Sequence, residues 1–437
     1  MNKILNKKII YILIIYILCF TYSFFISTVY NDEIWNYGFA YNISKGLIPY
    51  KDFNLIVTPL YSFLAAIFIK IFGGYLMSLH IFNCIIMASI IFIFYDKLKL
   101  KSFIIIPFIF SYCYPNYNIL SVLIIILIIN FLDKNMKNKD YILGFVVGLM
   151  FLTKQTIGIS LFIPLIYYSK NKLKSLISFL FPNTLLLIYL ILNNSLYEFI
   201  DYCFLGLLEF GNSNSILLCL PIEIVICSII VYRLIKSKFK NSKLFYLLMF
   251  QIVTVPIFDD YHFMIGFIPV LYYFLATANI EKYKIKYYTI ISLFFCSMWN
   301  FVGSQNHNIN LHQDKNSYLY GRNIPDFIEM NNIADYINEC ENKYEHIYIF
   351  SKNAYYIKLK SKYKIDKYDL INDGNMGYKG SNKYIKEIDK YCKKNRCMFI
   401  LDTFETKTHN QTNSSIMKYS KKYKLKENIG RFNIYTN

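Results

Sequence analysis

The sequence predicts a polytopic α-helical membrane protein of about eleven spans, followed by a small extracytoplasmic α/β domain. Three observations predict it. Of 437 residues, 55% are hydrophobic and the mean hydropathy is +0.33, the range of a chain that lives mostly in lipid. Apolar runs long enough to cross a bilayer recur from residue 9 to residue 303 and then stop. Short lysine-rich loops also alternate along the chain with loops that carry acids and almost no lysine. The formal charge of +19 would suit a nucleic-acid binder, but its distribution excludes that class, because the lysines sit beside spans and face anionic lipid.

Residues 9–29 follow Lys3, Lys7 and Lys8, and no small-residue cleavage site comes after them. They are expected to be a retained span with its N-terminus in the cytoplasm. Five basic loops then define the cytoplasmic side: Lys97/Lys99/Lys101, Lys134/Lys137/Lys139, Lys170/Lys172/Lys174, Lys236/Lys238/Lys240/Lys243 and Lys282/Lys284/Lys286. Glu198, Asp201 and Glu209, and then Asp259 and Asp260, mark loops on the other side. Parity settles the ambiguous pieces. Residues 59–72 end at Gly73-Gly74 and are expected to lie along the outer surface, before a span at 75–95. Residues 103–132 form a hairpin turning at Tyr114-Pro115-Asn116. Residues 141–169 cross twice and turn near Thr153-Lys154-Gln155, with each arm shorter than the ~20 residues of a full span. Spans near 175–193, 216–235, 244–258, 263–280 and 287–303 complete eleven crossings and place the tail outside. No internal repeat is visible.

The expected division is a transmembrane domain at 1–303, with its first extracytoplasmic loop at 30–73, and a soluble α/β domain at 304–437. In the tail, 333–340 and 384–391 have helical spacing, while 346–350 and 397–401 are short β-rich runs. Residues 372–377, with two glycines, read either as a plain loop or as a phosphate cradle. Cys19, Cys84, Cys219 and Cys227 lie in apolar runs and behave as small core residues; Cys392 and Cys397 are close enough in sequence to raise a disulfide. No zinc-type spacing occurs, and no cofactor is expected.

The richest stretch is 31–60. Asn31 has the chemistry of an N-cap, and Asp32 and Glu33 suit the positive end of a helix dipole. A weakly amphipathic helix follows, with Lys45 and Gly46 as its stop, and then a Pro-punctuated return through Pro49-Tyr50-Lys51-Asp52-Phe53 to Thr58-Pro59-Leu60. Two readings stand open: a membrane-surface helix with a carboxylate site at its start, or solvated loop acids. Lys154 has two readings as well. It either binds an anion at the hairpin tip or snorkels to the outer headgroups.

The Asp-Glu pair after the first span, the helix ending in glycine, the Pro-Tyr-x-Asp-Phe segment and the Pro-Leu-Tyr that opens the next apolar run resemble the first extracytoplasmic loop of GT-C superfamily glycosyltransferases. The protein mannosyltransferase and aminoarabinose transferase group is similar in pattern. The resemblance is specific over 31–73 and architectural over the rest of the membrane part. This chain has Trp35, Asn36 and Tyr37 where the family often has an arginine, and Thr58-Pro59 where it often has two prolines.

The resemblance implies a GT-C-like fold and an inverting, metal-independent enzyme of the cytoplasmic membrane. Such an enzyme moves a hexose or pentose from a polyprenyl-phosphate donor to a glycan, lipid or protein acceptor outside. It implies Asp32 as general base with Glu33 beside it, and Asp52, with Lys51, as the second matched acid. Asp52 reads equally as a turn-stabilising aspartate. Lys154 with Gln155, and Tyr261 with His262, would hold the donor phosphate or the acceptor, and Asp260 would orient His262. The acid pair beside His262 also raises metal binding. Two other functions make different demands on the sequence. A surface-polysaccharide polymerase or ligase predicts a large arginine-rich late loop, whereas 194–215 is short and has no arginine. A lipid-linked saccharide flippase or transporter predicts paired broken helices and no outer domain.

Overall fold

The protein is described by a computed structural model covering residues 2–25, 31–213, 219–255, 257–305, 327–340, 343–351, 354–361, 375–403 and 422–437. These residues fall into two compact units. The first comprises 1–28, 58–187 and 213–323; the second comprises 29–57, 188–212 and 324–437.

A helix stands at each of the eleven places where a span was expected. Along the chain the helices are α1 (Asn2–Phe25), α2 (Asn31–Ser44), α3 (Leu60–Phe72), α4 (Leu76–Leu98), α5 (Ser102–Tyr112), α6 (Tyr117–Leu132), α7 (Lys139–Thr153) and α8 (Gln155–Tyr168). Then come α9 (Lys172–Leu192), the short α10 (Leu196–Ile200), α11 (Cys219–Lys236), α12 (Ser242–Phe250), α13 (Asp260–Thr277) and α14 (Lys282–Gln305). By length and apolarity alone, two helical stretches among the described residues can cross a membrane unaided, Leu76–Tyr112 and Lys172–Leu192. The others are shorter or more polar. At ~1.5 Å per residue, 13-residue α3 is only about 20 Å long, too short to span a ~30 Å hydrocarbon core.

In the first unit α1 packs on α4, α7 on α8, α5 on α14, and α8 on α12. Breaks fall where the sequence changes character. Gly73 adopts φ +96° after α3, and the lysine-rich turn after α4 carries Lys99 at φ +54°. The α5–α6 turn is closed by Asn116, whose side chain accepts the Asn118 N–H and caps α6. The α7–α8 hairpin breaks at Lys154, in extended backbone. On α7, Gly144 and Gly148 lie so close to α9 that a Cβ on Gly148 would sit 2.8 Å from the Phe179 carbonyl oxygen. Small residues one turn apart are what allow two helix backbones to approach in this way.

The second unit combines residues from three regions of the sequence. Its core is a four-stranded sheet of order β1-β2-β4-β3, made of β1 (His346–Phe350), β2 (Cys397–Asp402), β3 (Lys424–Ile429) and β4 (Phe432–Thr436). β1 and β2 pair in parallel and the other pairs are antiparallel. Helices α15 (Phe327–Cys340), α16 (Ala354–Ser361) and α17 (Gly380–Cys392) belong to the same unit. The expected strands 346–350 and 397–401 and the two expected helices are present. α16, β3 and β4 were not anticipated; β3 is the lysine-rich run Lys424-Leu425-Lys426-Glu427, exposed on nearly every residue, which hides a strand's alternation. The tail boundary expected at 303/304 falls on the last turn of α14, and residues 306–326 and 372–374 lie outside the described residues. Asn375 and Met376 form a turn. Cys392 and Cys397 are free, like the other cysteines, and buried, so the disulfide raised by their spacing is not formed.

One expectation is corrected here. Helix α2 does not present a weakly amphipathic face to a membrane surface. Glu33, Ile34, Asn36, Tyr37, Phe39, Ala40 and Asn42 are all buried, so the helix is enclosed on every side. α16 packs directly on it.

Candidate functional site

The acidic half of the expected site is the start of α2. Asp32 and Glu33 occupy its first turn, where partial positive charge favours carboxylates. Asn36 Nδ2 donates to the Asp32 carbonyl at 2.7 Å and ties that turn to the next. Glu33 is fully buried and Asp32 half-buried. The helix stops as the sequence indicates: Lys45 N–H bonds back to Tyr41 and Asn42, and Gly46 takes φ +87°.

The return segment folds into a tight turn held from within. The Asp52 carboxylate accepts the Ile48 N–H at 2.7 Å, and Asp52 N–H donates to Ile48 O at 2.9 Å. These bonds support the turn-stabilising reading of Asp52. Lys51 beside it is exposed. Tyr50, at φ +71° and fully buried, donates its hydroxyl to the Val57 carbonyl at 2.9 Å and meets Phe199 edge-on at 5.1 Å.

The basic half lies in the first unit, around the tip of the α7–α8 hairpin. Lys154 is only 7% exposed. Its ammonium turns inward, donating to Asn118 Oδ1 at 3.3 Å and to the Val253 carbonyl at 3.4 Å, with the Tyr117 ring 5.6 Å below. A lysine so placed is not reaching for headgroups, and the snorkelling reading does not describe it. Gln155 follows as the first residue of α8 and is buried.

Tyr261 joins this cluster through Asn116, whose amide and the Tyr261 hydroxyl lie 2.6–2.9 Å apart, and through the Tyr114 ring at 4.7 Å. The Asn116 amide therefore does two jobs, capping α6 and holding Tyr261. His262 is fixed by Asp259, which caps α13: Asp259 Oδ1 accepts the His262 backbone N–H at 2.7 Å and contacts Nδ1 at 2.8 Å. Asp259, not Asp260, therefore orients the histidine, because the N-cap geometry aims its carboxylate at the residue three positions on. Asp260 instead accepts the Cys219 thiol at 3.2 Å. Burial pushes the Asp259 carboxyl up. The hydrogen bonds from His262 and the His262 and Lys154 charges outweigh that and hold it below the usual aspartate range.

Two residues here escaped the sequence reading. Asn116 and Asn118 flank Tyr117 in a segment read only as a turn. Asn118 is 1% exposed, and its Nδ2 has no hydrogen-bond partner among the described residues. The available signal was two amides beside a proline at the end of an apolar run, since such amides are costly to bury without a task. Among the described residues, no three His, Cys, Asp or Glu side chains converge as a metal-binding set.

No protein-family model matches the chain, and no curated protein matches it in sequence. Solved structures do. The crystal structure of ArnT from Cupriavidus metallidurans bound to undecaprenyl phosphate matches with a TM-score of 0.61 and 9% identity, over 98% of this chain and 97% of that one. The same protein in its apo state matches with a TM-score of 0.57 at 9% identity, over 99% and 98% of the two chains. ArnT is the aminoarabinose transferase of the GT-C superfamily, the group that residues 31–73 resemble. At this identity the likeness speaks for architecture alone: the chain has a fold like that of ArnT over nearly its whole length.

Proposed function

We propose that the chain is a membrane glycosyltransferase that moves one sugar from a polyprenyl-phosphate donor to an acceptor at the outer face of the cytoplasmic membrane. The observation that carries this reading is the inward-held ammonium of Lys154, in a polar cluster at a helix-hairpin tip, within a fold like that of a protein crystallised with undecaprenyl phosphate.

The chemistry is a single displacement. Asp32 takes the proton of the acceptor hydroxyl, and the oxygen attacks the anomeric carbon on the face opposite the phosphate. The bond from that carbon to the phosphate oxygen breaks, and polyprenyl phosphate departs with the electron pair. Configuration at the sugar inverts, and no covalent enzyme intermediate forms. Lys154 meets the negative charge that grows on the leaving phosphate, with the Asn118 amide donating beside it. Tyr261 and His262, held by Asn116 and Asp259, line the same cluster and contact phosphate or acceptor. None of these steps calls on a metal.

The test is direct. Membranes carrying the chain are supplied with radiolabelled polyprenyl-phosphate sugars one at a time, and transfer to endogenous acceptor is followed. Consumption of one donor, abolished by Asp32→Asn, is the expected result; no consumption of any donor would sink the reading. Orientation is tested separately with single cysteines and an impermeant thiol reagent. Tyr197→Cys, at a position 69% exposed, should label from outside intact cells, and Asn138→Cys should not. The reverse pattern would overturn the eleven-crossing topology.

A further inference from the structure

The C-terminal segment reaches α2 at a notch. At Gly38, in the middle of that helix, a Cβ would overlap the ring carbons of Tyr355 on α16. Phe39, the next residue, meets the same ring edge-on at 5.9 Å. Tyr355 is buried, as is Lys358 one turn further along α16. The ring therefore sits where any other residue at 38 would place its own side chain. α2 cannot roll about its axis without displacing it.

Further ties hold the same segments together. Asn54 Nδ2 donates to the Asn375 carbonyl at 2.8 Å. Asp201 accepts the Tyr378 N–H at 2.9 Å and the Lys383 ammonium at 2.7 Å. Gly377, at φ +77°, sits so close to that carboxylate that a Cβ would meet it at 2.5 Å. The first loop, the 196–205 segment and the tail thus brace one another at named points.

The roll of α2 matters because neighbouring residues on a helix point ~100° apart. It decides whether Asp32 or Glu33 faces an acceptor. A carboxylate about 6 Å from the helix axis moves ~1 Å for a roll of ~10°, and a misplacement of that size costs about a hundredfold in rate.

We propose that Tyr355, seated in the notch at Gly38, is a positioning residue that sets the roll of α2 and so the aim of the Asp32 and Glu33 carboxylates. The C-terminal segment is then part of the catalytic unit and not an appended domain. This deepens the glycosyltransferase reading and rests on it.

The test uses the full chain in membranes, with abundance measured for every variant and the donor identified above. Gly38→Ala forces the ring out of its notch and should lower kcat roughly tenfold or more, with donor KM within about twofold, since the groups assigned to the phosphate are untouched. Tyr355→Phe keeps the ring and should stay within about twofold of wild type. The informative variant is Gly38→Ala combined with Tyr355→Ala. Removing the ring relieves the overlap, so the pair should recover roughly threefold or more over Gly38→Ala alone, a coupling that two independent structural lesions would not produce. A Gly38→Ala protein of wild-type kcat overturns the inference. So does a double variant no better than the single one, whether the defect is in rate or in abundance. A wild-type chain that consumes no donor overturns the glycosyltransferase reading first, and this inference with it.

Discussion

Glu33 and Lys154 are both almost inaccessible, 0% and 7% exposed, yet they belong to different units. Lys154 is held within the unit of apolar helices, with Asn118 and Val253 as acceptors 36 and 99 positions away. Glu33 lies on a helix of the unit that contains the tail, where α16 packs on that helix and Asn375 is tied to Asn54 across 321 positions. The basic cluster belongs to the packing of the membrane helices and should persist in any variant that still folds in lipid. The acidic helix packs on α16, far along the chain, so changes there should disable it while leaving donor binding intact.

The largest expected effect tests the acidic side of that contrast. Asp32→Asn keeps shape and hydrogen bonding but cannot take a proton, so transfer should fall 10²–10⁴-fold, roughly 3–5 kcal/mol of barrier, with donor binding preserved. Glu33→Gln should be milder. If Glu33→Gln is the dead variant and Asp32→Asn is active, the roll assigned to α2 is wrong.

Next comes Lys154→Met, which keeps length and apolar bulk but removes the charge. Losing a charge-assisted contact of about 1.5–3 kcal/mol should weaken donor affinity roughly 10- to 150-fold in a direct binding assay. Unchanged affinity would remove Lys154 from the phosphate site. Asn118→Leu removes a neutral donor worth about 0.5–1.5 kcal/mol and should weaken donor binding by roughly 2- to 12-fold. A tighter-binding Asn118→Leu would mean that its buried amide serves the fold alone.

The smallest effect concerns pH. Asp259 is held below the usual aspartate range, so it is charged throughout pH 5–7, and any stability it lends is lost only as pH falls through its lowered folded-state value. Asp259→Asn should therefore weaken donor binding by the same factor at pH 5 and pH 7. A factor that changes across that window would show the Asp259–His262 pair changing charge within it.

How much of this was legible in the sequence depends on how local the cause is. The α7–α8 break at Lys154 could be read because the arms on either side are too short and the lysine interrupts an apolar run. The stop of α2 at Gly46 could be read because a positive φ after a helix selects glycine. The enclosure of α2 could not be read, because nothing within its own fourteen residues names α16 as the neighbour. Gly38 looked like one more small residue on a mixed face. β3 stayed hidden because an edge strand with exposed lysines and a bulge near Leu425 has no alternation to detect. The exchange of Asp260 for Asp259 as the partner of His262 turned on a helix boundary, where sequence reading is at its coarsest.

The strand order has a consequence for how the protein comes into being. β4 (Phe432–Thr436) lies between β2 and β3, so the sheet has no middle until that strand is made. At ~5–20 residues per second, the roughly 390 residues between α2 and β4 take on the order of 20–80 s to synthesise. Through that interval the carboxylate-bearing helix has been translated while the sheet of its own unit is incomplete. Competence for transfer would then switch on late and all at once, and nascent or truncated chains would idle in the bilayer without acting on the donor pool.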